Sequence, residues 1–210
     1  MLLFFAGIGQ AADSDLNQRL LQDAEQQQAQ MVTRHGLHPD ARWANKCQLL
    51  IEHLALERFQ SCLVLDADHA NAYALAHGVV MLTQGLLSQI NNDHQLAHVL
   101  AHEHAHLLLD HHLQAAKKIQ NPPTFFTKSR LKKFYRQLEH DADQAANEWL
   151  LAQQMDPQQI HHYYLRIEPQ VRDKKADHDK LSDRIQRHGL PHEIIDPWWQ
   201  KTQSTGAKAR

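Results

Sequence analysis

The residues of this sequence best suited to chemistry are two histidines and a glutamate, arranged as H-E-x-x-H at residues 102–106. Residues four apart lie on the same face of an α-helix, so His102 and His106 can present two imidazole nitrogens to one metal ion. Glu103 lies beside that face and can accept a proton from a water molecule at the metal. Zinc peptidases use this arrangement of two neutral ligands and one base. The motif therefore predicts a zinc site that hydrolyses peptide bonds.

A catalytic zinc ion takes a third protein ligand and keeps its fourth position for water or substrate. The sequence E-H-D-A-D at residues 139–143 offers a candidate, since Glu139 and Asp143 share one face of a helix predicted over residues 131–154. We expect Glu139 to be the third ligand and Asp143 to accept a hydrogen bond from a ligand histidine. Alone, the segment fits a helix with two surface acids. Beside H-E-x-x-H it favours one zinc ion per chain, held between two helices.

The chain contains 18 histidines, so other ligand sets must be weighed. A histidine recurs at every fourth position of the predicted active helix: His94, His98, His102 and His106. Only the His102–His106 pair has a glutamate directly after its first histidine, so we expect His98 to be a core residue or to support a ligand. We expect His104 to point away from the pair and to have no special role. The roles of three further histidines stay open: His94, His111 and His112.

The predicted elements around the motif are mostly helical. An amphipathic helix is expected over residues 13–35, and Asn92-Asp93 is expected to cap a helix over residues 94–109. Residues 59–65 and the β-branched run at 77–83 predict strands, whereas residues 49–56 fit either a helix or a strand. The last strand directly precedes the active helix, so we expect it to be an edge strand flanking the cleft, where an extended substrate could pair. The predicted fold class is α+β, mainly helical and zincin-like.

The length of 210 residues, 42% of them hydrophobic, suits a single catalytic domain. We place it at residues 12–200, with the catalytic core at 43–188 and a disordered tail at 201–210. Residues 1–11 resemble the apolar region and cleavage site of a signal peptide, although a positively charged start is missing. We therefore favour export, for example to a periplasm, over a cytoplasmic location. No stretch reaches the roughly 20 apolar residues needed to span a bilayer.

The charge of the chain indicates which partners it could bind, and its two cysteines bear on its redox compartment. The formal net charge of −2 gives no global field for nucleic acid, and a protein or peptide is the expected partner. The basic segment 117–136 is interpreted as a solvated loop, with contact to an anionic membrane as the alternative. Cys47 and Cys62 could form a disulfide in an oxidising compartment or remain buried thiols. The oligomeric state is not indicated.

Four segments in order resemble one family of zinc metalloendopeptidases, which includes HtpX, the CAAX prenyl endopeptidases and the periplasmic outer-membrane-assembly proteases. They are residues 71–80, with N-A-Y-A-L and G-V-V; residues 85–106, with the H-E-x-x-H helix; residues 139–143, with Asp141 where the family has Glu; and residues 178–185, with Asp179 where the family has Pro. Because no spanning helix is predicted, the chain is similar to the soluble, exported branch of that family.

The resemblance implies an endopeptidase acting in cell-envelope protein quality control. It implies that His178 stabilises the oxyanion of the tetrahedral intermediate and that Arg184 lies near the cleft. For the other positions the resemblance implies the same roles as the spacing: His102, His106 and Glu139 as ligands, Glu103 as base and Asp143 behind a ligand. The alternative is a non-proteolytic, zinc-containing chaperone-like or assembly factor that holds client proteins in the same cleft.

Overall fold

The computed structural model of the protein describes residues 5–120 and 128–155. Within them the helices and strands follow one another as α1 (Phe5–His35), α2 (Arg42–His53), β1 (Ser61–Leu65), β2 (Ala72–Leu75), β3 (Val79–Thr83), α3 (Gln84–Leu87), α4 (Asp93–Leu108), α5 (His111–Gln120) and α6 (Lys128–Ala152). The described part is thus mainly helical with a small sheet, which confirms the α+β class.

The three strands form one mixed sheet in the order β1-β3-β2. β3 pairs in parallel with β1 and antiparallel with β2, and all five of its residues are buried. The strand before the active helix is therefore central, and the prediction that it forms an edge is wrong. The cause is β2, which was not predicted as a strand and folds back onto β3. As a result β2 is the edge strand that packs beside α4.

The turn between β2 and β3 depends on Gly78. Its backbone has φ +88°, and a Cβ placed there would lie 2.7 Å from the carbonyl oxygen of Arg58. A side chain at this position would meet both backbone strain and a clash with the neighbouring loop. Glycine therefore permits the tight reversal that makes β2 the edge of the sheet.

Helices cover both faces of the sheet. On one face, Ala24 of α1 packs with Leu65, Val79 and Met81 of the strands. The larger core lies on the other face, where side chains of α2, α3, α4 and α6 meet strand residues such as Val80 and Leu82. The outer edge of β1 is partly covered by Leu37, which forms an isolated bridge with Leu65. The sheet thus gives α4 a rigid support on which the site is built.

Several helix predictions are confirmed. α1 ends at His35, where the breaker was expected, although it begins at Phe5 and not at residue 13. The segment 49–56, which the sequence left open, is helical up to His53, the last residue of α2, and leaves the helix from residue 54. Asn92 caps α4, because its side-chain oxygen accepts a hydrogen bond from the Gln95 N–H at 3.1 Å. α6 begins three residues before its predicted start. α5 was not predicted as a helix at all, and this proves important for the site.

Cys47 and Cys62 are joined by a disulfide bond, which decides between the two alternatives left open by the sequence. The bond ties α2 to β1, and both residues are buried, at 0% and 7% exposure. It therefore fixes the position of the sheet against the helical core.

Some predictions concern parts of the chain outside the described residues. These include His178, Arg184 and the tail at 201–210. Residues 5–11 of the proposed signal segment form the first turns of α1. Among residues 5–120 and 128–155, no helix combines the length and apolar character needed to cross a bilayer.

Candidate metal centre

Helices α4 and α6 pack along each other and bring together three side chains that could hold a metal ion. His102 Nε2 lies 3.2 Å from His106 Nε2. Glu139 reaches across from α6, with one carboxylate oxygen 3.4 Å from His102 Nε2 and the other 3.5 Å from His106 Nε2. The three side chains thus form a triangle in which two imidazole nitrogens face each other and each nitrogen faces a different oxygen of the Glu139 carboxylate.

This triangle has the dimensions of a tetrahedral zinc site. Zinc binds imidazole nitrogen and carboxylate oxygen at about 2.0–2.2 Å, so neighbouring ligand atoms of a tetrahedral ion lie about 3.3–3.5 Å apart. The two nitrogens lie 3.2 Å apart, and each lies 3.4 or 3.5 Å from its nearer Glu139 oxygen, which is close to that spacing. The donor set of two imidazoles and one carboxylate is also one that zinc accepts in catalytic sites. Both the geometry and the chemistry of the residues therefore fit zinc.

Asp143 lies directly behind the triangle. Its side chain is 3% exposed, and its Oδ1 is 2.9 Å from His102 Nδ1. Because Nδ1 faces this carboxylate, His102 directs Nε2 toward the other two ligand atoms. A carboxylate in this place fixes the tautomer and ring orientation of a metal-binding histidine.

Burial keeps His106 in the form that binds metal. It lowers the pKa of His106 from 6.5 to about 3, and the nearby His102 adds to this effect while Glu139 opposes it. The neutral imidazole, whose nitrogen carries a free electron pair, therefore dominates at neutral pH. No proton has to be removed before this side chain can bind a cation.

The triangle is mostly buried but keeps some exposure. The side chains of His102, His106 and Glu139 are 10%, 15% and 14% exposed. Glu103 follows His102 on α4, and its residue is half-buried. Partial exposure suits a catalytic centre, which needs an open position, more than a closed structural one.

The tight turn after α4 adds two histidines that spacing alone did not connect to the site. Asp110 has φ +52°, a left-handed conformation that Asp adopts more readily than most residues, and it reverses the chain into α5. The first residue of α5, His111, then places Nδ1 3.0 Å from His106 Nδ1. The next residue, His112, donates from Nε2 to the carbonyl oxygen of Ala74 on β2 at 2.8 Å. The turn thus links His106 to the edge strand.

Two further histidines of α4 belong to the core. His98 is fully buried and stacks on His102 at 6.5 Å between ring centres, outside the triangle. His104 lies on another face, where its Nε2 accepts a hydrogen bond from the Arg58 N–H at 3.2 Å. Burial lowers the pKa of His104 to about 4, which preserves this acceptor. As expected, His104 points away from the pair; its hydrogen bond additionally supports the loop before β1.

Comparison with known proteins shows that part of the chain is similar to a peptidase family. Residues 45–130 match the model of Peptidase family M48. The M48 match runs from α2 through the sheet, α4 and α5, and so includes His102, Glu103 and His106. It ends before Glu139 and Asp143, so the assignment of these two residues to the site rests on the geometry of α6.

One curated relative is the mitochondrial metalloendopeptidase OMA1 of Bos taurus. It is 38% identical over 56 residues, which is 27% of this chain and 11% of that protein. The alignment thus covers a small part of the relative's length. Together with the M48 match, it agrees with a metalloprotease, a class that depends on metal and acts on peptides or proteins.

Proposed function

We propose that the protein is a zinc-dependent endopeptidase. The observation that carries this proposal is the triangle formed by His102, His106 and Glu139, whose spacing suits a tetrahedral ion. The similarity of residues 45–130 to Peptidase family M48 and the 38% identity to a metalloendopeptidase support the same reaction class.

The residues around the triangle have complementary tasks in peptide hydrolysis. A bound zinc ion would supply Lewis-acid polarisation of the scissile carbonyl and a lowered pKa for the attacking water. The Glu103 carboxylate accepts a proton from that water and later delivers it to the leaving amine. Asp143 holds His102 with Nε2 toward the ion through its contact with Nδ1. In this proposal His178 stabilises the oxyanion and Arg184 lies near the cleft.

The edge strand β2 is the proposed docking site for the substrate backbone. The Thr83 N–H donates to the Asn71 carbonyl at 3.1 Å, which makes these two residues a hydrogen-bonded pair. Hydrogen-bonded and non-hydrogen-bonded pairs alternate along two antiparallel strands, so the N–H and C=O groups of Ala72 and Ala74 point away from β3. Two of these groups have partners within the chain: the Ala72 N–H donates to the Asn71 side chain, and the Ala74 carbonyl accepts from His112. The Ala72 carbonyl and the Ala74 N–H are the groups to which an extended substrate would pair.

We further propose that the protein belongs with the exported, HtpX- and CAAX-endopeptidase-like branch and acts in cell-envelope protein quality control. The disulfide between Cys47 and Cys62 supports this location, because such bonds persist mainly in oxidising compartments. Measuring the redox state of these cysteines in cell fractions tests it. Reduced thiols in the native protein would contradict export.

The substitution Glu103→Gln tests the catalytic proposal. It should leave zinc affinity near that of the wild type while abolishing peptide hydrolysis, since only the proton acceptor is lost. The matched control is Glu148→Gln, which changes an exposed glutamate of α6 and should retain activity. Cleavage by Glu103→Gln at the wild-type rate would refute the assignment. Zinc-independent capture of unfolded proteins, without cleavage by the wild type, would instead favour the chaperone-like alternative.

Contact with an anionic membrane through residues 117–136 is a subordinate proposal. Lys117 pairs with Asp13 of α1 at 2.7 Å, and Lys118 lies over the Phe134 ring. The density of basic side chains in this segment would supply the attraction to anionic lipid. Co-sedimentation with phosphatidylserine vesicles, reversed by salt, would support it, and equal binding to neutral vesicles would contradict it.

A further inference from the structure

The contact between His111 and His106 is not explained by the ligand set. His111 is 3% exposed, and its Nδ1 lies 3.0 Å from Nδ1 of His106, a hydrogen-bonding distance for two ring nitrogens. Two such nitrogens attract only when one carries a proton and the other does not. The direction of this hydrogen bond therefore has to be decided from the surroundings of each ring.

The surroundings of His106 decide the direction. Its Nε2 faces His102 Nε2 at 3.2 Å and a Glu139 oxygen at 3.5 Å, so Nε2 must present its electron pair if it is to bind the ion shared by these atoms. The proton of the neutral His106 ring then lies on Nδ1. It follows that His106 donates from Nδ1, that His111 accepts at Nδ1, and that His111 carries its own proton on Nε2.

We propose that His111 is a positioning residue for the metal ligand His106. It accepts the Nδ1–H of His106, and thereby fixes the tautomer and the ring orientation that aim Nε2 at the metal. The inference rests on the proposed zinc site and extends it by one residue. Each ligand histidine then has a polar group facing its Nδ1, because the Asp143 carboxylate of α6 lies 2.9 Å from Nδ1 of His102.

The local backbone places His111 beside His106. Only one residue, Asp110, separates the cap of α4 at Leu109 from the start of α5, and its φ of +52° turns the chain back on itself. An extended connection of ordinary backbone would carry His111 away from the end of α4. A neutral imidazole also orients His106 without adding another negative charge beside Glu139 and Asp143.

Three substitutions at one position test the proposal. His111→Asn puts an amide oxygen, which can accept a hydrogen bond, where the wild type has Nδ1. His111→Leu puts a methyl group there, and His111→Gln moves the acceptor one atom further out. We expect zinc affinity close to the wild type for the first variant and about 10–100-fold weaker for the other two. The readouts are zinc dissociation constants by chelator competition and the visible spectrum of the Co²⁺-substituted protein.

The Co²⁺ spectrum separates positioning from a general structural role, because it reports the ligand geometry rather than the amount of folded protein. His112→Leu is the matched control: it makes the same change at the neighbouring residue, which bonds to Ala74 rather than to a ligand, and should leave zinc affinity unchanged. For the weakened variants we expect kcat to fall more than KM rises.

The outcomes separate this proposal from the proposed function. Equal zinc affinity and Co²⁺ spectra in the wild type and His111→Leu would overturn the positioning role while leaving the zinc site intact. If His111→Leu fails to fold, the variants His111→Asn and His111→Gln decide instead, since both are polar and differ only in where the acceptor lies; equal affinities would again overturn the role. A wild-type protein that binds no zinc would refute the proposed function itself and this inference with it.

Discussion

Removal of the disulfide should lower stability by an amount that the structure allows us to work out. Cys47 and Cys62 are 15 residues apart. In the chain-entropy treatment, closing a loop of that length lowers the entropy of the unfolded chain and so stabilises the folded state by about 3 kcal/mol at 25 °C. For a protein of 150–250 residues, each kcal/mol moves the melting temperature by roughly 2–4 °C. We therefore expect the double variant Cys47→Ala/Cys62→Ala to melt about 6–12 °C below the wild type.

Urea and thermal unfolding, each followed with and without a thiol reductant, measure this effect. The reductant should destabilise the wild type by a similar amount and leave the stability of the double variant unchanged. The double variant is therefore the control for effects of the reductant other than reduction of this disulfide. A loss below about 1 kcal/mol would show that the α2–β1 connection is held by packing, and would refute the argument from loop closure. A reductant effect on the double variant would show that some other group responds.

Four further predictions follow from the site and the fold. Chelation of zinc should lower the melting temperature, because an ion present at about 100 times its dissociation constant adds roughly 2.7 kcal/mol to stability; an unchanged melting curve contradicts a bound metal. Asp143→Leu should weaken zinc binding about 10–100-fold in chelator competition, because His102 loses the acceptor at Nδ1. Burial lowers the pKa of His104 from 6.5 to about 4, so its contribution to stability is complete above pH 6.5 and is lost as the pH falls toward 4; the free energy of unfolding of the wild type should fall more over this interval than that of His104→Gln. Gly85→Ala should destabilise the fold by about 1–3 kcal/mol or more in urea titrations, because the added Cβ would lie 1.9 Å from the backbone oxygen of Asp68.

The metal triangle could be predicted from the sequence because its parts obey local rules. The spacing of His102 and His106 places both imidazoles on one helix face, whatever surrounds that helix. The spacing of Glu139 and Asp143 does the same on a second helix. One further assumption, that the two faces meet, was enough to bring the four residues together, and the packing of α4 on α6 places them so.

The role of each strand in the sheet could not be predicted in the same way. Strand order depends on pairing between distant residues, and β3 became the central strand only because the short β2 returns onto it. Nothing in the four residues of β2 distinguishes an edge strand from a loop. A strand was predicted to follow Gly78, but the sequence did not show that this glycine, with a φ of +88°, reverses the chain between β2 and β3.

The same reasoning explains why the contact of His111 with His106 could not be predicted from the sequence. Its distance to His106 is set by the turn at Asp110, a residue with a side chain in a left-handed conformation, and no helical or strand period describes such a turn. The ligands of the site lie on regular helices, whereas the orientation of His106 depends on one irregular residue. Changes at Asp110 that disfavour a positive φ should therefore alter metal binding without touching a ligand. Asp110→Gly should preserve zinc affinity, because glycine adopts the same backbone freely, whereas Asp110→Val should weaken it, because a β-branched residue resists positive φ. Equal zinc affinity in both variants would show that His111 reaches His106 without help from the turn.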